Sequence, residues 1–156
     1  MKNKSFTLAC MSLVALACSC TTVPTNKETA EPTLYERLGG VYNIAAVVDD
    51  LIERLYVNDV LNAVPEIDKA RNPLRKPGLK FQLTALMCQV TGGPEKYTGR
   101  DMKEMHANLK ISEKEWDAMA ADFKATLDKF KVPEKEQAEL FEIVGSTKGD
   151  IVTVGK

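Results

Sequence analysis

The sequence predicts an all-α domain, and three observations carry that prediction. Apolar residues recur at three- and four-residue spacing in several long segments. Glycines and prolines punctuate the chain between those segments rather than inside them. The β-branched residues near the end, Ile151, Val152 and Val154, are too few for a sheet.

After Gly39-Gly40, the residues Ile44, Val47, Val48, Leu51, Ile52 and Leu55 form one apolar face, so a first long helix is expected there. The stretch from Pro65 to Pro77 is too proline-rich to be one regular element. Leu79, Leu83, Leu86, Met87 and Val90 mark a second helix, ended by Gly92-Gly93. Trp116, Met119, Ala120, Phe123, Leu127 and Phe130 mark a third. Ser112 followed by Glu115 is a capping box that opens it, and Lys129 and Lys131 complement the dipole at its end. Pro133, with Glu134 and Glu136, starts a last helix that turns Leu140, Ile143 and Val144 inward. Four helices of about ten to twenty residues make a domain of roughly 120 residues. The chain has no internal repeat.

At 156 residues the chain is one domain with appendages. Its net charge of -1 gives no basic footprint for nucleic acid. There is no P-loop and no G-x-G-x-x-G. Lys2 and Lys4, followed by the short apolar run Phe6 to Leu16, read as an export signal too short to span a membrane. Ala15-Leu16-Ala17-Cys18 and Ala17-Cys18-Ser19-Cys20 both resemble a bacterial lipobox, so Cys18 or Cys20 is expected to carry lipid. The expected organisation is a lipoprotein signal over 1–20, a flexible tether over 21–33 and a folded domain over 34–156. Loss of the signal removes two positive charges and leaves a more acidic mature protein. No aspartate follows either cysteine, which favours an outer-membrane anchor facing the periplasm. In that oxidising setting Cys88 has no obvious partner, so no structural disulfide is expected.

The chemistry concentrates on the only histidine, His106. It follows Gly92-Gly93-Pro94, Tyr97-Thr98-Gly99 and Met102. Met102, Met105 and Leu109 put it on an apolar, sulfur-rich face. One imidazole is too few for a zinc site, and no Cys-x-x-Cys-His marks covalent haem attachment. A haem iron, by contrast, takes four nitrogens from the porphyrin and needs one from the protein.

The GGP turn, the Y-x-G and the M-x-x-x-H spacing resemble the proximal segment of group I truncated haemoglobins. The resemblance runs from Leu34-Tyr35-Glu36-Arg37-Leu38-Gly39-Gly40 through Val47-Val48-Asp49-Asp50 to the last two helices. It implies a shortened globin, a two-over-two helical sandwich around haem b (iron protoporphyrin IX), with His106 as the iron ligand. It further implies that Met102, Met105, Ile111, Trp116 and Met119 line the proximal side and haem edge. Tyr97 would either pack on the haem-bearing loop or bond a propionate. Arg75, Lys76 and Arg100 are further propionate candidates.

The distal side departs from the family. Its usual tyrosine position falls on Ile52, and its usual polar positions on Leu79 and Leu83. The phenylalanines that cover the haem fall near Val64-Pro65. Dioxygen on ferrous haem gathers partial negative charge and wants a donor. Losing a hydrogen bond of about 1.5–3 kcal/mol weakens it by roughly ten- to a hundredfold. Gln82 and Tyr56 are the two neighbours able to restore polarity. Cys88, Thr84 and Met87 read as packing residues.

The leading expectation is therefore a haem protein that reversibly binds a diatomic gas and is kept ferrous by an unidentified reductase. A nitric oxide dioxygenase or peroxidase-like enzyme is the alternative. An apolar distal pocket and the lack of a second histidine argue against both enzymes. A haemless interaction domain is the third reading, and His106 in its motif argues against it.

Overall fold

A computed structural model describes residues 31–155. The predicted signal, both candidate lipid cysteines and the tether up to position 30 lie outside the described residues. A single turn, α1 (Leu34–Arg37), opens the fold. Thr33 Oγ1 accepts the Glu36 N–H at 3.2 Å while the Glu36 carboxylate accepts the Thr33 N–H at 2.9 Å. The glycine pair Gly39-Gly40 then reverses the chain into α2 (Gly40–Val57), which buries Ile44, Val48, Leu51 and Ile52.

Asn58 caps the short α3 (Asp59–Asn62), accepting the Val60 N–H at 2.9 Å. The stretch 65–77 is more ordered than its prolines suggest. Pro65 begins α4 (Pro65–Ala70), Pro73 begins a 3-10 turn (Pro73–Arg75), and Pro77 sits in the first turn of α5 (Lys76–Val90). A helix N-terminus has N–H groups with no intrahelical partner, so proline costs nothing there. The prolines are starts rather than breaks.

A loop follows, and then α6 (Met102–His106), whose N-cap Asp101 accepts the Glu104 N–H at 2.7 Å. The predicted capping box opens α7 (Glu113–Lys129), with Glu115 accepting the Ser112 N–H at 2.9 Å. Pro133 precedes α8 (Glu134–Ser146), and α9 (Lys148–Ile151) ends the helices. Beyond it, the Thr153 and Val154 N–H groups both donate to the Ile111 carbonyl, at 2.8 and 3.1 Å. Among the described residues there is no strand.

The four long helices form two layers. α2 packs on α5 and also reaches α7. α7 meets α8 through Phe123 and Phe141, whose ring centroids are 5.2 Å apart. Leu127, fully buried, joins Leu34, Leu51, Phe123 and Leu140 in one core. Polar ties lock the layers. Arg37 on α1 donates to Glu136 on α8 at 2.9 Å and also pairs with Glu139. Asp50 on α2 accepts from Thr126 at 3.0 Å and pairs with Arg54 and Lys129.

Candidate functional site

The site is built from the loop that leads to His106. Gly93 comes so close to α1 and the end of α5 that a Cβ there would lie 2.5 Å from the Tyr35 ring and 2.9 Å from the Cys88 carbonyl. Gly99 passes so near Tyr97 that a Cβ would meet its hydroxyl at 2.3 Å. These contacts explain the GGP and Y-x-G elements of the motif. Tyr97 accordingly packs on the loop. Its N–H donates to Gln89 Oε1 at 2.9 Å and its hydroxyl to the Arg100 carbonyl at 2.6 Å, 3.9 Å from Met105 Sδ. Burial raises its phenol pKa.

The loop hands over to α6, where His106 Nδ1 lies 2.7 Å from the Met102 carbonyl oxygen. A carbonyl can only accept, so in the neutral ring Nδ1 carries the proton and Nε2 keeps its lone pair. This is the tautomer an imidazole needs to ligate a metal through Nε2.

His106 lines an open-sided cavity of about 1370 Å³ between the helices. Met102, Met105, Tyr97, Ile111, Trp116 and Met119 line it, as do Ile52, Leu79, Gln82 and Leu83. These residues share one cavity with His106, whereas Lys76 does not line it. Ile52 is buried, Leu83 is partly buried, and Leu79 is at the exposed rim. Gln82 donates through Nε2 to Thr98 Oγ1 at a long 3.4 Å, and its buried Oε1 has no partner.

The cationic candidates divide. Lys76 pairs with Glu53 at 2.8 Å, and its Nζ stands 4.3 Å from the Tyr56 ring centroid. Arg100 is 3.9 Å from Glu104. Arg75 lines the cavity and has no carboxylate within ion-pair distance among the described residues. Sequence reasoning missed Arg71, which lines the cavity from the proline-rich segment. No local motif distinguishes it, because its position depends on how α4 folds back onto α2. Cys88 is packed out of solvent as expected, and desolvation, reinforced by Glu95, pushes its thiol up to about 11.

One imidazole with a free Nε2, facing a large and mostly apolar cavity between two layers of paired helices, defines a haem-pocket type of site. Comparisons agree. The family described as Bacterial-like globin matches residues 33–153, and the chain belongs to that family. The Group 1 truncated hemoglobin GlbN of Synechocystis sp. is 32% identical over 119 residues, spanning 73% of this chain and 90% of the relative. The truncated hemoglobin of Tetrahymena pyriformis in its Fe(III) form superposes with a TM-score of 0.65 at 24% identity, covering 80% of this chain and all (100%) of that one. The truncated oxygen-avid haemoglobin of Bacillus subtilis gives 0.66 at 20% identity, covering 78% and 100%. The two structural matches show the two-over-two globin fold.

Haem b is the standard cofactor of the family. The residues present fit it. The cavity exceeds the roughly 300–1,000 Å³ of ordinary small-molecule pockets. Its walls are aliphatic, aromatic and thioether side chains, and it offers one imidazole in the right tautomer. Among the described residues, no group of three or more His, Cys, Asp or Glu could hold a bare metal ion.

Proposed function

We propose that this protein reversibly binds a diatomic gas at a haem iron held by His106, and that its apolar distal wall holds dioxygen loosely relative to carbon monoxide or nitric oxide. The observation that carries the reading is the His106 imidazole. Its Nδ1 is engaged by the Met102 carbonyl, and it lines the cavity. The haem would supply an iron with one open coordination position for the gas. The chain's residues do the rest. Met102 orients the ring, Met105, Trp116 and Met119 exclude water, and Ile52, Leu79 and Leu83 place aliphatic side chains where the family's polar distal residues fall.

An absorption spectrum tests this. With haem added, a one-to-one complex with a five-coordinate ferrous spectrum and a sharp carbon monoxide adduct is expected. His106→Ala should abolish that ferrous spectrum, and added imidazole should restore it. Retention of the same spectrum by His106→Ala would remove the proximal assignment.

We further propose that the domain is exported and anchored through Cys18 or Cys20 to a periplasm-facing membrane surface, and that a separate reductase keeps the iron ferrous. Among the described residues, no helix is long and apolar enough to cross a membrane. Incorporation of labelled palmitate, lost in the Cys18→Ser or the Cys20→Ser variant, is the expected result. Labelling that survives replacement of both cysteines would overturn the anchor.

A further inference from the structure

We propose that Arg71, with Tyr56 beside it, forms a seat for a small anion in the ligand-binding part of the cavity. The proposal rests on the haem reading above and goes beyond it, because it assigns a charged ligand class to a wall that otherwise selects neutral gases.

The arginines of this chain fall into two groups. Arg37 reaches Glu136 at 2.9 Å, Arg54 reaches Asp50 at 2.8 Å, and Arg100 lies 3.9 Å from Glu104. Arg71 and Arg75 have no carboxylate within ion-pair distance among the described residues, and both line the cavity. Arg75 is exposed and water screens it, whereas Arg71 is partly buried. Desolvation lowers the pKa of the Arg71 guanidinium, with only partial opposition from Tyr56 and from Asp68, one turn back on α4.

The placement of Arg71 is specific. Its guanidinium donates to the Leu55 carbonyl and to Asn62 Oδ1, both neutral acceptors. Leu55 is one turn beyond Ile52 on α2, so these bonds tie the cation to the last turn of the helix that carries the family's distal-tyrosine position. Five N–H donors on a guanidinium leave several to spare. The guanidinium carbon also lies 5.3 Å from the Tyr56 ring centroid. Tyr56 lines the cavity, and no hydrogen-bond partner for its hydroxyl is found among the described residues. The other cation on that ring, Lys76, is already satisfied by Glu53.

A partly desolvated cation with no carboxylate within ion-pair distance, next to an unpartnered hydroxyl on an apolar wall, favours an anion over a neutral molecule of the same size. The ligand class is a small monovalent anion able to coordinate ferric iron, such as azide, cyanide or nitrite. A carboxylate of the haem itself shares the same chemistry.

The test uses the full-length ferric protein loaded with haem. Azide and neutral imidazole are titrated into wild type, Arg71→Gln and Arg71→Lys, and carbon monoxide into their ferrous forms. In Arg71→Gln, the azide dissociation constant should rise about ten- to a hundredfold, the worth of one charge-assisted hydrogen bond. Arg71→Lys should recover part of that loss. Imidazole and carbon monoxide should stay within about threefold of wild type, which also reports an intact fold. An unchanged azide affinity, or azide and imidazole weakening together, overturns the seat.

A parallel arm loads haem whose two propionates are esterified. If Arg71→Gln weakens uptake of natural haem but not of the ester, Arg71 serves a haem carboxylate and the free-anion seat is overturned. Failure of the wild type to take up either haem would instead overturn the haem reading.

Discussion

On the proposed reading, Ile52→Tyr should slow dioxygen release, and the worth of one hydrogen bond to the bound gas sets the size of the effect. Ile52 is 3% exposed and borders the cavity of about 1370 Å³. A phenol at this position has room to turn inward, and its cost in overpacking should fall at or below the usual 1–3 kcal/mol. A hydroxyl donating to the partial negative charge on bound dioxygen is worth about 1.5–3 kcal/mol. If the whole of that appears in dissociation, oxygen release slows about ten- to a hundredfold. Carbon monoxide gathers less charge, and its release should change by no more than about threefold. Stopped-flow displacement of oxygen by carbon monoxide, and of carbon monoxide by nitric oxide, measures both. Gln82→Leu is the companion, because the Gln82 amide is turned to Thr98 at 3.4 Å and its Oε1 is buried. Oxygen release in that variant should stay within about threefold of wild type. The reasoning is refuted if Ile52→Tyr leaves oxygen release unchanged, or slows both gases equally. Either result means that position 52 does not face the bound gas.

Two further predictions concern stability. Burial raises the pKa of Asp50, but bonds from Lys129, Arg54 and Thr126 outweigh it and hold the carboxyl at about 2 instead of 3.8. Its side chain is 14% exposed, so most of the shift counts. A depressed folded pKa gives stability that is complete above the unfolded value and lost as pH falls through the folded one. Asp50→Asn should therefore cost about 2 kcal/mol in urea unfolding at pH 7, with the gap to wild type closing between about pH 4 and pH 2. A gap that persists at pH 2 would assign the loss to packing instead. Gly93→Ala should destabilise by about 2 kcal/mol or more, because its Cβ would meet the Tyr35 ring at 2.5 Å and a backbone oxygen at 2.9 Å. A melting temperature within a degree or so of wild type would show that the loop has room to shift.

The long helices were legible because burial writes a period into sequence. Ile44, Val48 and Ile52 of α2, and Phe123 and Leu127 of α7, repeat at the spacing that turns them to one face. The Ser112–Glu115 cap was equally plain, since it is a bond between neighbours. The segment 65–77 was not legible in the same way. Proline signals a helix start as readily as a break, and which one holds depends on whether an N–H is needed there. Arg71 was invisible for a related reason. Its donors go to Leu55 and Asn62, and only the fold of α3 and α4 against α2 brings those together.

The surroundings of His106 were legible from sequence because its neighbours are local. Gly99 fits against Tyr97, Tyr97 ties the loop to Gln89 and Arg100, Asp101 caps α6, and Met102 orients His106 four residues later. Each link spans at most eight residues, so the chain carries it as a motif. The opposite wall is assembled from α2, α4 and α5, and its character depends on which side chains those helices bring together. That division separates the two properties of the site. On the proposed reading, whether iron is held would depend on the short-range segment around His106. Ligand preference would depend on Ile52, Leu79, Leu83 and Arg71 across the cavity, and substitutions there would retune selectivity without disturbing the imidazole.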